Sequence, residues 1–428
     1  MKIKAISVDG FRNLSRVHLQ LDTITALVSL NNYGKSNVLI AVDFGIAFIK
    51  ALPSDRREMM ANAGLIPFNK ANYGTNYRFE IEAEAVEEDR AFRVVYGYEF
   101  RWKSSPKAEP EIVREYLKVR LADKGQKYVQ LIQRDPDRAV YRRSETGRCS
   151  SRIRVDGAEL VINKLNAYDD IFHDDIIRQL NQLQFYIEKS FDTSGNYQPD
   201  PIIRKGLENT TLDSKNLPRV LFYLKTESPG RYEMLVDAYR GLFPNIDDLI
   251  VKRFEINAEE SGQLPEDAPY EISDAIYVLY VRDHNLLRSV NIAGMSDGAR
   301  RVLLILTKIL LAVEEGVSLI ALEEPENSVH PRLLQAYLEI IGQFADGCSI
   351  VITSHSPYII SCIPTEWIRV GAERKPGIAG FAAPTRSGTN LLQREAAEYH
   401  ISVGDYLFSL LSDPESDWDE YLEHGGNE

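Results

Sequence analysis

The sequence predicts an α/β phosphate-loop fold with a parallel core sheet, an antiparallel β insertion and a helical subdomain. Three observations predict it. The apolar run "ITALV" (24–28) leads into "SLNNYGKSN" (29–37) and the apolar stretch "NVLIAVDFGIAFI", which is strand, glycine-lysine turn and helix in succession. Two short apolar strands, "SLIAL" (318–322) and "CSIVIT" (348–353), flank the helical stretch "PRLLQAYLEIIGQF", and such alternation implies parallel, doubly wound order. Between these ends, β-formers dominate from about 77 to 160 and helical periodicity from about 160 to 250.

Taken in order, "IKAISV" (3–8) alternates like a strand. "YRFEIEAEAV", "FRVVYGYEF" and "EYLKVRL" lie between polar turns and predict an antiparallel sheet added to the first unit. "DDIIRQLNQLQFYIEKSF" (174–191), "LPRVLFYLK" and "RYEMLVDAYRGLF" predict helices, parted by turn signals such as "SPG" (228–230). "AIYVLYV" (275–281) returns to strand, and "VLLILTKILLAV" (302–313) reads as a buried helix, too short to span a bilayer and interrupted by Lys308. There is no internal repeat and no heptad run of coiled-coil length. The expected organisation is an N-terminal lobe (1–160), a helical subdomain (161–255), a C-terminal lobe (256–370) and a C-terminal extension (371–428).

Composition narrows the function classes. A chain of 428 residues, 44% hydrophobic and 26% charged, suffices for two or three packed units. Its net charge of −13 argues against coating nucleic acid over the whole surface, so any nucleic-acid site is a local patch. Cys149, Cys348 and Cys362 lack metal-type spacing and suggest neither a disulfide framework nor a zinc site. With no signal-peptide pattern at the amino terminus, a reducing cytoplasmic setting without membrane attachment is expected.

The glycine-lysine turn carries chemistry. A phosphate loop needs inward backbone N–H groups, a lysine for the outer phosphates and a hydroxyl for Mg²⁺ at the start of a helix. Gly34, Lys35 and Ser36 supply the last three positions, while Ser29 stands where the usual first glycine would. Alone, the triplet is equally a turn before a helix. The second strand adds weight: "SLIALEEPENSVHP" (318–331) sets Glu323 and Glu324 at the carboxyl end of a buried strand, where nucleotide sites form in open sheets. Glu323 would hold Mg²⁺ through water, and Glu324 would orient and deprotonate the attacking water.

With these residues in view, the sequence resembles the ABC-type ATPase heads of the group containing the SMC chromosome-maintenance proteins, the RecF recombination protein and the overcoming-lysogenization-defect ATPases. The resemblance runs from the opening strand to about residue 362. It implies that Asn31, Asn32, Gly34, Lys35, Ser36 and Asn37 bind nucleotide, with Ser36 and Glu323 on the metal and Lys35 among the catalytic groups. The departure at Ser29 bears on hydrolysis rate more than on binding. "MSDGARRVL" is similar to the family signature, carried by Ser296 and Gly298, which in this family meets the γ-phosphate from the opposite subunit. That implies a head-to-tail homodimer around two ATP molecules, open to higher assembly. Arg300 and Arg301 follow one turn on. "ITSHSPYII" (352–360) is similar to the switch segment, with His355 contacting the γ-phosphate and attacking water, and Asn327 to Pro331 to the loop that touches the partner subunit. Gln126, Gln130 and Gln133 are the candidates for a glutamine loop, none with a distinctive context.

Few residues follow the switch segment, and the only Asp-x-Asp pair among them, Asp417 and Asp419, lies in an acidic end, so no nuclease domain is expected in this chain. A stand-alone head resembles ATPase subunits of bacterial antiphage defence systems such as the Septu and PARIS types, which implies a sensor or scaffold controlling a separate effector, a nuclease. The alternatives are a RecF-like DNA-repair ATPase that clamps DNA and a slowly or non-hydrolysing nucleotide-gated assembly protein. Seven arginines between Arg134 and Arg154 (Arg134, Arg138, Arg142, Arg143, Arg148, Arg152 and Arg154) make a candidate DNA or partner patch beside Tyr141, or else a solvated hairpin. The acidic end, "SDPESDWDEYLEHGGNE", reads as a disordered solvating tail by default, with Trp418 and Tyr421 able to dock on a basic partner.

Overall fold

The computed structural model describes residues 1–104, 109–123, 125–168, 171–189, 193, 195–198, 201–206, 212, 216–256, 265, 267–345, 347–372, 376–413 and 416–423. The chain divides into two compact units, neither continuous in sequence. One comprises Met1–Ile187, Val317–Glu324 and Gly347–Glu428, the other Glu188–Gly316 and Pro325–Asp346.

The first unit is built on two sheets. In the parallel one, Leu319–Glu323, Ser349–Ser354, Ile24–Ser29 and Ile368–Gly371 lie side by side in that order, all parallel. The central strands Ile24–Ser29 and Ser349–Ser354 are buried at every residue, which is why they read as unbroken apolar runs rather than alternating ones. The other sheet has eight strands and is antiparallel, starting from Val17–Gln20 and Lys2–Asp9 and continuing through Tyr77–Glu87, Arg90–Arg101 and Glu111–Leu121 to short strands ending at Ser151–Arg152. Tyr77–Glu87 alternates buried with less buried residues along nearly its whole length, as period two requires of a sheet with one covered face.

Helix Lys35–Lys50 packs on that covered face. Its Phe48 ring stacks on Tyr98 and Phe100 at 5.0 and 4.9 Å, and the Tyr77 and Tyr98 hydroxyls donate 2.8 Å bonds to the helix carbonyls of Ala41 and Gly45. Gly45 permits this approach, since a Cβ there would lie 2.3 Å from the Phe79 ring. Buried Arg56 closes the far end of the helix by donating to the Phe48 and Ile49 carbonyls at 2.7 and 2.9 Å. The helix that delivers the glycine-lysine turn is therefore fixed along its length and at its end.

The second unit contains helices Leu217–Glu227, Pro229–Leu242, Asp297–Glu314 and Pro331–Phe344, and a sheet ordered Ile246–Glu255, Ala275–Asp283, Val290–Asn291. In Asp297–Glu314 the predicted buried run is buried from Val302 to Ala312 except at Lys308, which pairs with Glu188. Among the described residues no helix is long and apolar enough to cross a membrane.

Two expectations fail. The helix expected over 174–191 spans only Asp174–Asn181, and Phe185–Glu188 is instead a strand at the edge of the parallel sheet, beside Leu319–Glu323. The Gln184 carbonyl accepts the Ser318 amide at 2.9 Å, so pairing with a distant segment overrides local periodicity. Ser190 and Phe191 of that stretch lie outside the described residues. The acidic end is likewise no simple solvating tail: Tyr421 and Leu422 are buried, Pro384 bridges to Leu422, and the Tyr421 carbonyl lies where a Cβ on Gly388 would be 2.0 Å away. Residues 414–415 and 424–428 of that end lie outside the described residues.

Candidate functional site

Register alone assembles the site. Because Glu323 pairs with Thr353, and Ser354 with Val28, the carboxyl ends of three parallel strands meet at one edge. The glycine-lysine turn, the two glutamates and His355 all leave from that edge. Glu324 turns off its strand at a φ of 50° and anchors its amide to the Thr353 carbonyl at 2.9 Å. Its carboxylate then meets His355, with Nδ1 2.8 Å from Oε1 and both side chains part-exposed. Two residues singled out separately in sequence thus form one pair. The neighbouring Glu323 has a buried Oε1 with no hydrogen-bond partner among the described residues, an acceptor whose desolvation is offset only if a cation or water meets it. With the Ser36 hydroxyl, exposed in the first helical turn, it is a donor set of the hard oxygen type that Mg²⁺ takes.

The loop is closed around its lysine. Lys35 Nζ, buried, donates to the Ser29 carbonyl at 2.8 Å and the Leu30 carbonyl at 3.2 Å. Ser29 ends the strand in extended backbone and is not among the residues with positive φ; those in the loop are Asn32 at 61° and Gly34 at 140°. Serine at the first position therefore carries no backbone strain, and the freedom that glycine gives is needed at Gly34. No side chain caps helix Lys35–Lys50, whose N-terminus opens at Gly34, leaving a place favourable to an anion. Asn31 and Asn32 are exposed. Asn37 is turned to protein instead: its Oδ1 accepts from Arg12 at 2.8 Å and its Nδ2 donates to Asn13 Oδ1 at 2.7 Å.

Arg12 and Asn13 escaped the sequence reading. Asn13 also donates to the Tyr33 carbonyl at 3.0 Å, so the turn after the first strand holds the loop from the side. Asn72 escaped it too. It lines a cleft beside Tyr33 and carries a buried Oδ1 with no hydrogen-bond partner among the described residues. The signal available was "GFRN" directly after a strand, a polar pair where a hairpin turn needs none.

The signature lies in the second unit. Ser296 is the N-cap of helix Asp297–Glu314, its Oγ accepting from the Ala299 amide at 3.3 Å. The carboxyl of Asp297 is held below the usual carboxylate range, first by the Thr193 hydroxyl and next by that of Ser328. Gly298 has an intramolecular reason to lack a side chain: a Cβ there would lie 2.1 Å from the Ser328 carbonyl oxygen. Ser328, at φ 64°, belongs to the 327–331 loop, so the two motifs pack backbone to backbone. Arg300 folds back toward the Thr193 carbonyl and Asp297.

The arginine stretch is not one patch. Arg134 is buried and donates to the Glu159 and Asp156 carbonyls at 2.5 and 3.1 Å, which removes it from any surface. Arg142 lies over the Phe172 ring at 5.1 Å, whereas Arg138, Arg143, Arg148, Arg152 and Arg154 are exposed. Gln130 and Gln133 stand on strand Val129–Asp135 of the antiparallel sheet, with Gln126 just before it, none of them at the parallel edge.

A strand, a glycine-lysine turn and a helix at the carboxyl edge of a parallel sheet, with acids ending the next strand but one, define a phosphate-loop NTPase fold. Residues 24–361, well over half of the chain, match the family model described as "AAA domain, putative AbiEii toxin, Type IV TA system", and the chain belongs to that family. Membership places it among ATPases, which generally use ATP with Mg²⁺. No curated protein matches it in sequence. Among solved structures it is similar to an SMC head bound to the C-winged helix domain of ScpA, at 11% identity over 91% of this chain and 100% of that one, with a TM-score of 0.49. It is similar to the SMC head domain of Thermotoga maritima at 11% identity, over 90% and 99%, with a TM-score of 0.43. An SMC head with an extended coiled coil, bound to the C-terminal domain of ScpA derived from Pyrococcus furiosus, gives 12% identity over 92% and 99%, with a TM-score of 0.47.

Proposed function

We propose that the chain binds ATP with Mg²⁺ at the parallel-sheet edge, hydrolyses it to ADP and phosphate, and uses the nucleotide to control assembly with a separate effector. One observation carries the ATPase reading: strand register brings the Lys35 turn, a buried Glu323 oxygen without a partner among the described residues and the Glu324–His355 pair to a single edge. In this reading Lys35 exchanges its carbonyl partners for the outer phosphates, and the uncapped helix N-terminus receives them. Ser36 and Glu323 hold Mg²⁺, which when bound neutralises phosphate charge. Glu324 takes the proton of the attacking water, and His355 orients the carboxylate through the bond already present.

The finer steps rest on family resemblance. Ser296 and Gly298 would meet the γ-phosphate of a second copy, giving a homodimer around two nucleotides. The output would be a separate nuclease in bacterial antiphage defence. The exposed arginines favour a second reading, a RecF-like ATPase that clamps DNA, in which Arg138, Arg152 and Arg154 contact phosphates. The extended backbone of Ser29 speaks against the third, non-hydrolysing reading.

Lys35→Ala should abolish ATP binding, measured by fluorescence of a labelled analogue. Glu324→Gln should keep binding and lower phosphate release at least about 100-fold, the upper contribution of a positioned base being about 10⁴. Normal turnover by Glu324→Gln would remove it as the base. Purification with ATP at mild salt separates the outputs: a stoichiometric nuclease supports the effector reading, and DNA-stimulated phosphate release supports the clamp.

A further inference from the structure

The C-terminal extension reaches back to the phosphate loop. Segment 376–382 lies directly on it: Ala379 is fully buried, and a Cβ on Gly34 would lie 2.8 Å from the Ala379 methyl. The Ala379 amide donates to the Asn13 carbonyl at 2.9 Å, and Asn13 in turn holds Tyr33 and Asn37. Tyr33, the loop residue before Gly34, reaches the other way. Its hydroxyl donates to the Ala372 carbonyl at 2.6 Å and accepts the Gly380 amide at 3.1 Å, and its ring packs edge-on against Phe381 at 5.7 Å. Gly371 makes room for this, since a Cβ there would lie 2.7 Å from both the Tyr33 and Phe381 rings. The loop is thus gripped on its outer side by a segment far away in sequence, while Lys35 is held on the inner side by Ser29 and Leu30.

We propose that Tyr33 is a positioning residue that fixes the phosphate loop against the 376–382 strap, so that nucleotide occupancy and packing of the C-terminal extension are energetically coupled. This rests on the ATP-site reading above. Anchored through the Tyr33 hydroxyl and ring, the loop is restrained in where Gly34 and the helix N-terminus stand relative to the phosphates. By reciprocity, whatever displaces the strap weakens ATP binding, and ATP tightens the strap.

The test uses the full chain in three forms: native, Tyr33→Phe and Lys35→Ala. Tyr33→Phe keeps the ring and removes the hydroxyl's bonds to Ala372 and Gly380. It should weaken ATP about three- to tenfold and raise KM with kcat unchanged. Hydrogen exchange on the native chain supplies a second measurement: the Ala379 and Gly380 amides should exchange at least about fivefold more slowly with ATP and Mg²⁺. Native binding that Lys35→Ala abolishes and Tyr33→Phe leaves untouched would overturn the coupling alone. So would strap amides indifferent to ATP. A native chain that binds no ATP would overturn the site reading and this one together.

Discussion

Glu323 and Glu324 are adjacent in sequence and differ in backbone conformation and in partners. One ends a strand with a buried oxygen that has no partner among the described residues; the other turns out at positive φ to meet His355. That division suits the proposed roles of a metal-holding acid and a base. Arg134 teaches the opposite lesson, because a residue that looked like part of a basic patch is a buried strut. Arg134→Ala should cost about 2–3 kcal/mol in urea unfolding by stranding the Glu159 and Asp156 carbonyls, whereas Arg138→Ala should cost no more than about 0.5 kcal/mol. Equal costs would show that burial does not distinguish them. Glu395 gives a pH dependence. Its Oε2 accepts from Tyr406 at 2.6 Å and Tyr421 at 2.7 Å, and these bonds hold its carboxyl below the ordinary value. A carboxyl depressed in the folded chain stabilises above the unfolded value, about 4.3, and that stabilisation disappears as pH falls through the folded one. The thermal advantage of the native chain over Glu395→Gln should therefore be present at neutral pH and shrink below about pH 4; an advantage that grew on acidification would contradict the assignment.

Gly298 and the 327–331 loop form a joint between two motifs. Gly298→Ala brings a methyl to the Ser328 carbonyl, where only backbone can give way, and should lower stability by about 1–3 kcal/mol. A thermal midpoint unchanged by this substitution would show the loop to be free to move. The parts of the fold legible in sequence were those whose burial is uniform or alternates with period two. Ile24–Ser29, Leu319–Glu323 and Ser349–Ser354 announce themselves because a central parallel strand is apolar on both faces. Phe185–Glu188 did not, because its apolar residues continue the spacing of the helix before it and its pairing partner is distant in sequence. The 376–382 strap was invisible for a different reason: a short segment broken by a proline and two glycines shows no period, and its role lies wholly in what it touches. The Glu324–His355 contact was legible only as two separate motifs, since register, not spacing, joins them.

For the whole molecule, the membership of residues 24–361 in an AAA-domain family and the geometry of one sheet edge lead to the same chemistry. The proposed dimer adds a concentration-dependent consequence. With Glu324→Gln and ATP, light scattering should give twice the mass found without nucleotide, and Lys35→Ala should stay at the smaller value. A mass indifferent to ATP would separate nucleotide binding from assembly. The claim beneath all of this is that the Lys35 edge holds ATP. Titration calorimetry of the native chain and Lys35→Ala with ATP and Mg²⁺ tests it most directly: the account predicts one saturable site per native chain and no heat of binding for the variant. No binding by the native chain, or equal binding by both, would contradict it.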